Sequence, residues 1–231
     1  MLTLRPRLKA AADMVTAGRT VVDIGTDHAY LPAYLLLSGI TPRAVAGDIG
    51  IQPLENAAET VKLYGLSDSI SLRVSDGLAA VAPEEAQEIT ICGMGGTLIA
   101  EILEKADCLS RNTHLILQPM THAEDVRRWL CENSFAIDRE VCVADSGRVY
   151  CCISAFFSEQ KQSFEPGYYY FGTLSGNTPE ERAMIKKTAD RVRTRERSIR
   201  EADRFPEEQA YLRRVLSYYE SEFDNDGKRR I

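Results

Sequence analysis

The chain has 231 residues, of which 44% are apolar and 27% charged, and a formal net charge of −6. This is ordinary globular usage, with no apolar run near the roughly 18–20 residues that a spanning helix needs. The first twenty residues carry Arg5, Arg7 and Lys9 but no apolar stretch or small-residue cleavage site of a signal peptide, so a membrane protein, a secreted disulfide scaffold and a disordered chain are excluded.

Leu4, Leu8, Ala11, Ala12 and Val15 recur at helical spacing, and Gly18 stops the run. Short β-branched runs then alternate with helical ones. Residues 20–24 read as a strand, followed by a turn at 25–28 and a helix from Leu31, with Pro32 in its first turn. Residues 43–49 form a second strand, 53–64 a helix closed by Gly65, and 70–74 a third strand ended by Ser75-Asp76-Gly77. The fourth strand, 88–92, ends in Gly93-Met94-Gly95-Gly96 and leads to a helix over 97–106. The fifth, 114–117, leads through Gln118-Pro119 to a helix over 123–133. Residues 136–143 and 149–157 close the unit as an antiparallel pair. Strands alternating with helices of this length predict a doubly wound α/β domain over residues 1–158. Residues 159–179 read as a connector, and 180–224 as two amphipathic helices forming a coiled-coil-like hairpin around Phe205-Pro206. Residues 225–231 read as a polar tail.

Cys92, Cys108, Cys131, Cys142, Cys151 and Cys152 show neither a CxxC pair nor zinc-like spacing. Free, buried thiols in a reducing cytoplasm are expected, and no metal. Charge is unevenly distributed. Residues 1–160 hold 13 Lys+Arg against 21 Asp+Glu, whereas residues 161–231 hold 15 against 13. Within 182–204 there are nine basic residues and four acidic ones. Such an element suits either a polyanion or a solvated face laced with ion pairs.

In a doubly wound sheet, ligands sit outside the carboxyl ends of the strands near the switch in strand order. Four such ends here are polar or glycine-rich: Asp23 to His28, Asp48-Ile49, Asp76-Gly77 and Gly93-Met94-Gly95-Gly96. A carboxylate ending the second strand suits the two hydroxyls of a ribose, and Asp76 can accept from an adenine amino group. NAD(P) and S-adenosylmethionine both fit this outline. A dinucleotide calls for G-x-G-x-x-G at the first turn, but only Gly25 is present. Asp23 and Asp27 would repel a pyrophosphate and suit the sulfonium and ammonium of S-adenosylmethionine. Each Asp also has an ordinary use, capping a turn at a strand end.

The block Asp23-Ile24-Gly25-Thr26-Asp27-His28-Ala29-Tyr30-Leu31-Pro32, then Gly93-Met94-Gly95-Gly96-Thr97, then Leu117-Gln118-Pro119, resembles the bacterial tRNA (adenine-22-N1)-methyltransferases of the TrmK family. The order and spacing match across most of residues 4–155. Met120 stands where Asn is common in that family, and Asp48 where Glu is frequent. The resemblance implies a class I, Rossmann-like methyltransferase fold, S-adenosylmethionine as methyl donor and a tRNA D-loop adenine as acceptor. Candidate donor-binding residues are Asp23, Gly25, His28, Asp48, Ile49, Asp76, Gly77, Gly93, Met94 and Gly95. Asp27, accepting from the adenine N6 amine, and Gln118 are the catalytic candidates. Arg5, Arg7, Tyr30, Gly96, Pro119, Arg193, Arg197 and Arg200 are the candidates for RNA contact. A cytoplasmic monomer is expected, with dimerisation through the hairpin left open, and removal of everything after Gln160 is expected to leave donor binding intact. An NAD(P)-dependent oxidoreductase and a non-catalytic RNA-binding protein are the alternatives.

Overall fold

The structure is a computed structural model and describes residues 2–230. Its strands are Val21–Ile24 (β1), Ala44–Asp48 (β2), Ile70–Val74 (β3), Glu88–Met94 (β4), His114–Pro119 (β5), Phe135–Asp145 (β6) and Arg148–Phe157 (β7). They form one sheet in the order β3-β2-β1-β4-β5-β7-β6. Only β7 runs against its neighbours. Around the sheet lie Pro6–Ala12 (α1), Tyr30–Leu37 (α2), Ile51–Leu63 (α3), Gly96–Glu104 (α4) and Ala123–Glu132 (α5). Pro166–Phe171 (α6), Pro179–Ala202 (α7) and Pro206–Glu222 (α8) follow.

The side-chain period of two assigns the faces. Val21, Ala44 and Ala46 join a cluster with Ala33, Leu35 and Ala57 of α2 and α3. Their neighbours Val22, Ile24 and Val45 join the opposite cluster with Ile99, Leu130 and Val126 of α4 and α5. Both faces of the central strands are thus covered, which is why they read as apolar runs rather than alternating ones. The chain winds outward from β1 through β2 to β3, then crosses back to place β4 on the other side of β1. The reversal leaves a crevice at the carboxyl ends of β1 and β4.

Three sequence expectations change beyond residue 158. The connector contains α6, and the hairpin is continuous with the domain, because Ile185, Ala189, Val192, Leu212 and Val215 share one buried cluster with the sheet. The expected tail folds back: Arg229 N donates to Ser175 O at 2.8 Å and Arg230 N to Glu222 O at 2.7 Å. The apolar seam that could have served dimerisation is therefore consumed within the chain. Glu196, the acidic interruption of that seam, is buried and accepts from Gln209 Nε2 at 3.2 Å and Arg213 Nε at 3.1 Å.

A buried ion pair fastens the joint. Arg127 Nε of α5 donates to Glu140 Oε1 of β6 at 2.8 Å, with both side chains almost wholly enclosed. Arg127 Nη1 also donates to the carbonyls of Tyr169 and Tyr170, and Glu140 Oε2 accepts from Thr173 N and Oγ1. Gly172, at φ +59°, must be glycine because a Cβ there would strike the Glu140 carboxylate. Cutting the chain at Gln160 removes these partners and uncovers the cluster. A truncation there leaves Arg127, Glu140 and this face of the sheet without the cover of α6 to α8.

Candidate active site

The crevice opens at the loop between β1 and α2. Gly25 N and Thr26 N both donate to Gly47 O, at 2.8 and 3.2 Å, which turns the chain sharply over the end of β2. Gly25 adopts φ +77°, and a Cβ would meet the tip of Met94, so the loop depends on glycine for conformation and for space. Ala29 bears the usual strain of a left-handed conformation at φ 50° to launch α2. A cavity of about 330 Å³ results, lined by Arg7, Asp23, Thr26, Asp27, His28, Tyr30 and Cys92 among others.

Register brings Thr90 opposite Asp23, and Thr90 Oγ1 donates to Asp23 Oδ1 at 2.8 Å. Burial pushes the Asp23 carboxyl up to about 6 against the Thr26 and Thr90 hydroxyls, and the nearby Asp48 charge adds to the rise. Thr26 is buried beside it. Burial also raises the Cys92 thiol well above its ordinary value, so it stays protonated. Asp27 is exposed at the mouth, where it accepts from Asn56 Nδ2 at 3.4 Å and faces His28 Nε2 at 3.5 Å. His28 stacks on Tyr30, their rings 5.0 Å apart. An enclosed carboxylate, with a second carboxylate at the entrance, suits a cationic ligand.

Asp48, Ile49, Asp76 and Gly77 stand at the neighbouring strand ends but do not line this cavity. Asp48 Oδ1 accepts from Gly50 N at 2.8 Å, capping the turn into α3 and leaving Oδ2 for a ligand. Asp76 and Ile49 are exposed. Gly93 and Met94 belong to β4, and Gly95 is the N-cap of α4.

The structure encloses Gln118, Gly96 and Pro119 and pairs Arg5 at the surface. Gln118 is fully buried, accepts from Arg7 Nη1 at 3.0 Å and donates to Pro119 O at 3.1 Å, so it positions Arg7 and has no face toward a base. Pro119 is enclosed within β5. Gly96 is buried against the backbone of Thr121 and His122 and donates to Thr121 O at 2.7 Å. Arg5 is exposed but tied to Asp145 and Ser146. Arg7, also expected on the RNA side, projects into the cavity instead, where Gly93 leaves room for its guanidinium. Thr26, Thr90 and Asn56 escape a reading of the sequence alone: their surroundings depend on strand register and loop packing, which no local pattern records.

A family model described as "Methyltransferase domain" matches residues 4–153. The tRNA (adenine(22)-N(1))-methyltransferase of Bacillus subtilis is 39% identical over 176 residues, covering 76% of this chain and 74% of that one. The chain belongs to the tRNA (adenine(22)-N(1))-methyltransferase family. The crystal structure of TrmK from B. subtilis superimposes with a TM-score of 0.83 at 31% identity, covering 95% of this chain and 97% of that one. TrmK from M. capricolum, solved with S-adenosyl-homocysteine, gives 0.77 at 25% identity, with 93% and 97% covered. The relatives support the methyltransferase reading and neither alternative.

In this methyltransferase the basic helix is less free than its composition suggests. Arg193 pairs with Asp190, Arg195 with Glu208, Arg200 with Glu196, and Arg191 with Glu124 of α5. Arg182 donates to the carbonyls of Gly176 and Asn177. Lys186, Lys187, Arg197 and Arg204 are exposed along the same helix and the turn that follows. Among the described residues no helix is long and apolar enough to cross a membrane, and no cluster of metal-ligating side chains occurs.

Proposed function

We propose that the protein transfers a methyl group from S-adenosylmethionine to N1 of the adenine at position 22 in the D-loop of tRNA, in the bacterial cytoplasm. The acidic cavity at the strand-order switch carries this reading, because it offers carboxylates where a dinucleotide site needs phosphate-binding amides. When bound, the donor supplies an electrophilic methyl group on a sulfonium. Asp23 favours its positive centres, and Asp48 Oδ2 suits a ribose hydroxyl. Arg7, held by Gln118 and facing Asp145 at 3.6 Å, is placed to balance a ligand carboxylate.

Adenine N1 lies on the Watson–Crick edge, so the base must leave its stack to react. It carries no proton when neutral, and no general base is needed to expose the nucleophile. Methylation makes the base cationic. Asp27, oriented by Asn56 and His28 at the mouth, accepts from the N6 amine as this charge develops. Water is kept from the enclosed end by Leu4, Leu8 and Leu31, which line the same cavity.

The test is incubation of the full chain with labelled donor and unmodified bulk tRNA, followed by mapping of the modified nucleotide. Label at adenine 22 is expected. Label on another nucleotide would replace the acceptor, and no transfer to any tRNA would remove the proposal.

A further inference from the structure

A second cavity, of about 390 Å³, lies between α7 and the sheet and shares no lining residue with the acidic one. The two are nevertheless mechanically joined. Met120, on its wall, donates its backbone N–H to Met94 O at 2.8 Å, and the Met94 side chain lies against Gly25 of the acidic loop. Met120, Met184, Val149 and Tyr170 supply flat or polarizable apolar walls. Lys187 and Arg191 stand at α7 on one side, and the buried Arg127 forms part of the floor. Arg127 Nη2 meets only the Cys151 thiol, at 4.0 Å, among the described residues.

Apolar faces with a cationic edge match a nucleotide, whose base stacks while its phosphate seeks positive charge. The volume falls in the range of roughly 300–1,000 Å³ typical of small-ligand sites. A flipped acceptor adenine also leaves the adjacent base without its stacking partner, and this cavity opens one residue beyond the carboxyl end of β5. We propose that it receives a second unpaired nucleobase of the RNA, next to the methylated adenine, with the connecting phosphate against Lys187 and Arg191. The proposal rests on tRNA being the acceptor. Burial pushes the Tyr170 hydroxyl up to about 12, so it remains a neutral donor for the edge of that base. Arg191 is already oriented by Glu124 Oε2 at 2.8 Å, whereas Lys187 is exposed and forms no ion pair among the described residues.

The experiment pairs photocrosslinking with a filled pocket. Unmodified tRNA transcripts carrying a single 4-thiouridine on either side of the acceptor adenine are irradiated with the full chain, and the crosslinked peptides are sequenced. Crosslinks to peptides bearing Met120, Tyr170 or Met184 are expected, and their disappearance in Met184→Trp. The same variant should raise KM for tRNA by roughly tenfold, as expected when one base can no longer stack, while donor Kd stays unchanged. Met184→Leu should restore the wild-type KM. An unaltered KM in a folded Met184→Trp, or wild-type crosslinks confined to other peptides, overturns the pocket even if adenine 22 is methylated. Should Met184→Trp fail to fold, the wild-type crosslinks decide. Crosslinks at the expected peptides without methyl transfer would uphold the pocket and defeat the acceptor assignment instead.

Discussion

Asp23 is a carboxylate almost wholly enclosed at the wall of the cavity, and the protein is less stable for its charge. Its ordinary value near 3.8 rises to about 6 on folding. The native state therefore binds the proton more tightly than the unfolded chain does. Stability contributed by the protonated form is present below pH 4 and is lost as pH rises through about 6. The shift corresponds to a cost of about 3 kcal/mol at neutral pH. Asp23→Asn keeps an oxygen for the Thr90 hydroxyl and removes the charge. It should raise Tm at pH 7.5, flatten the pH dependence of Tm between pH 4 and 6, and weaken donor binding by calorimetry. A lower Tm at pH 7.5 would show that the ionised carboxylate is not strained. Asp27 presents the opposite case, because it is exposed and held only by Asn56 and His28. Asp27→Ala should leave Tm and donor affinity nearly unaltered while lowering methyl transfer by roughly 100-fold, the scale of a missing charge-stabilising group. If donor affinity collapses instead, Asp27 belongs to the donor site and another group serves the base.

At the scale of elements, the joint between α5, β6 and the segment after α6 decides whether the hairpin is an ornament or part of the core. Arg127 and Glu140 are desolvated together, and Arg127 Nε and Nη1 and both Glu140 oxygens are bonded to each other, to backbone groups and to Thr173 Oγ1. Removing one partner strands the other as a buried charge. Arg127→Met should therefore destabilise the chain by about 3–5 kcal/mol, whereas the double change Arg127→Met with Glu140→Leu should recover much of that stability. Denaturant melts of the three proteins check this, and a double variant as unstable as the single one would show that the backbone hydrogen bonds, not the charges, dominate. The same joint explains why the helical spacing of Ile185, Ala189, Val192 and Ile199 reads correctly while their partner does not. Periodicity identifies an apolar stripe, but not whether it packs on a second chain, on α8, or on the sheet.

At the scale of the molecule, an acidic body carries a helix whose basic side chains are partly neutralised by neighbours. Paired arginines such as Arg193 and Arg195 have less charge to offer a polyanion than Lys186, Arg197 and Arg204, which are exposed along the same element. Binding to phosphates adds affinity that falls steeply with salt and carries no sequence information. The triple change Lys186→Gln, Arg197→Gln, Arg204→Gln should weaken tRNA binding and flatten its salt dependence by about 0.7–0.9 for each phosphate that is no longer neutralised. Donor binding should not change. Titrations at two salt concentrations decide the matter, and an unaltered slope would assign those residues to solvation of the helix.

What the amino-acid order determined by itself is local. The alternation of β-branched runs with helical ones and the acidic residues at successive strand ends are set by neighbours a few positions apart, so each could be read in place. The ten-residue block from Asp23 to Pro32 carried enough of them to point to a family. Tertiary structure decided whatever depends on two distant segments meeting. The register of β1 against β4 sets Thr90 opposite Asp23. The packing of α1 on the sheet turns Arg7 inward and occupies Gln118, and the approach of the 121–122 backbone makes Gly96 a packing residue rather than a surface one. Burial is the physical reason for the division, because a side chain's exposure is fixed by the element that covers it, and that element lies elsewhere in the chain.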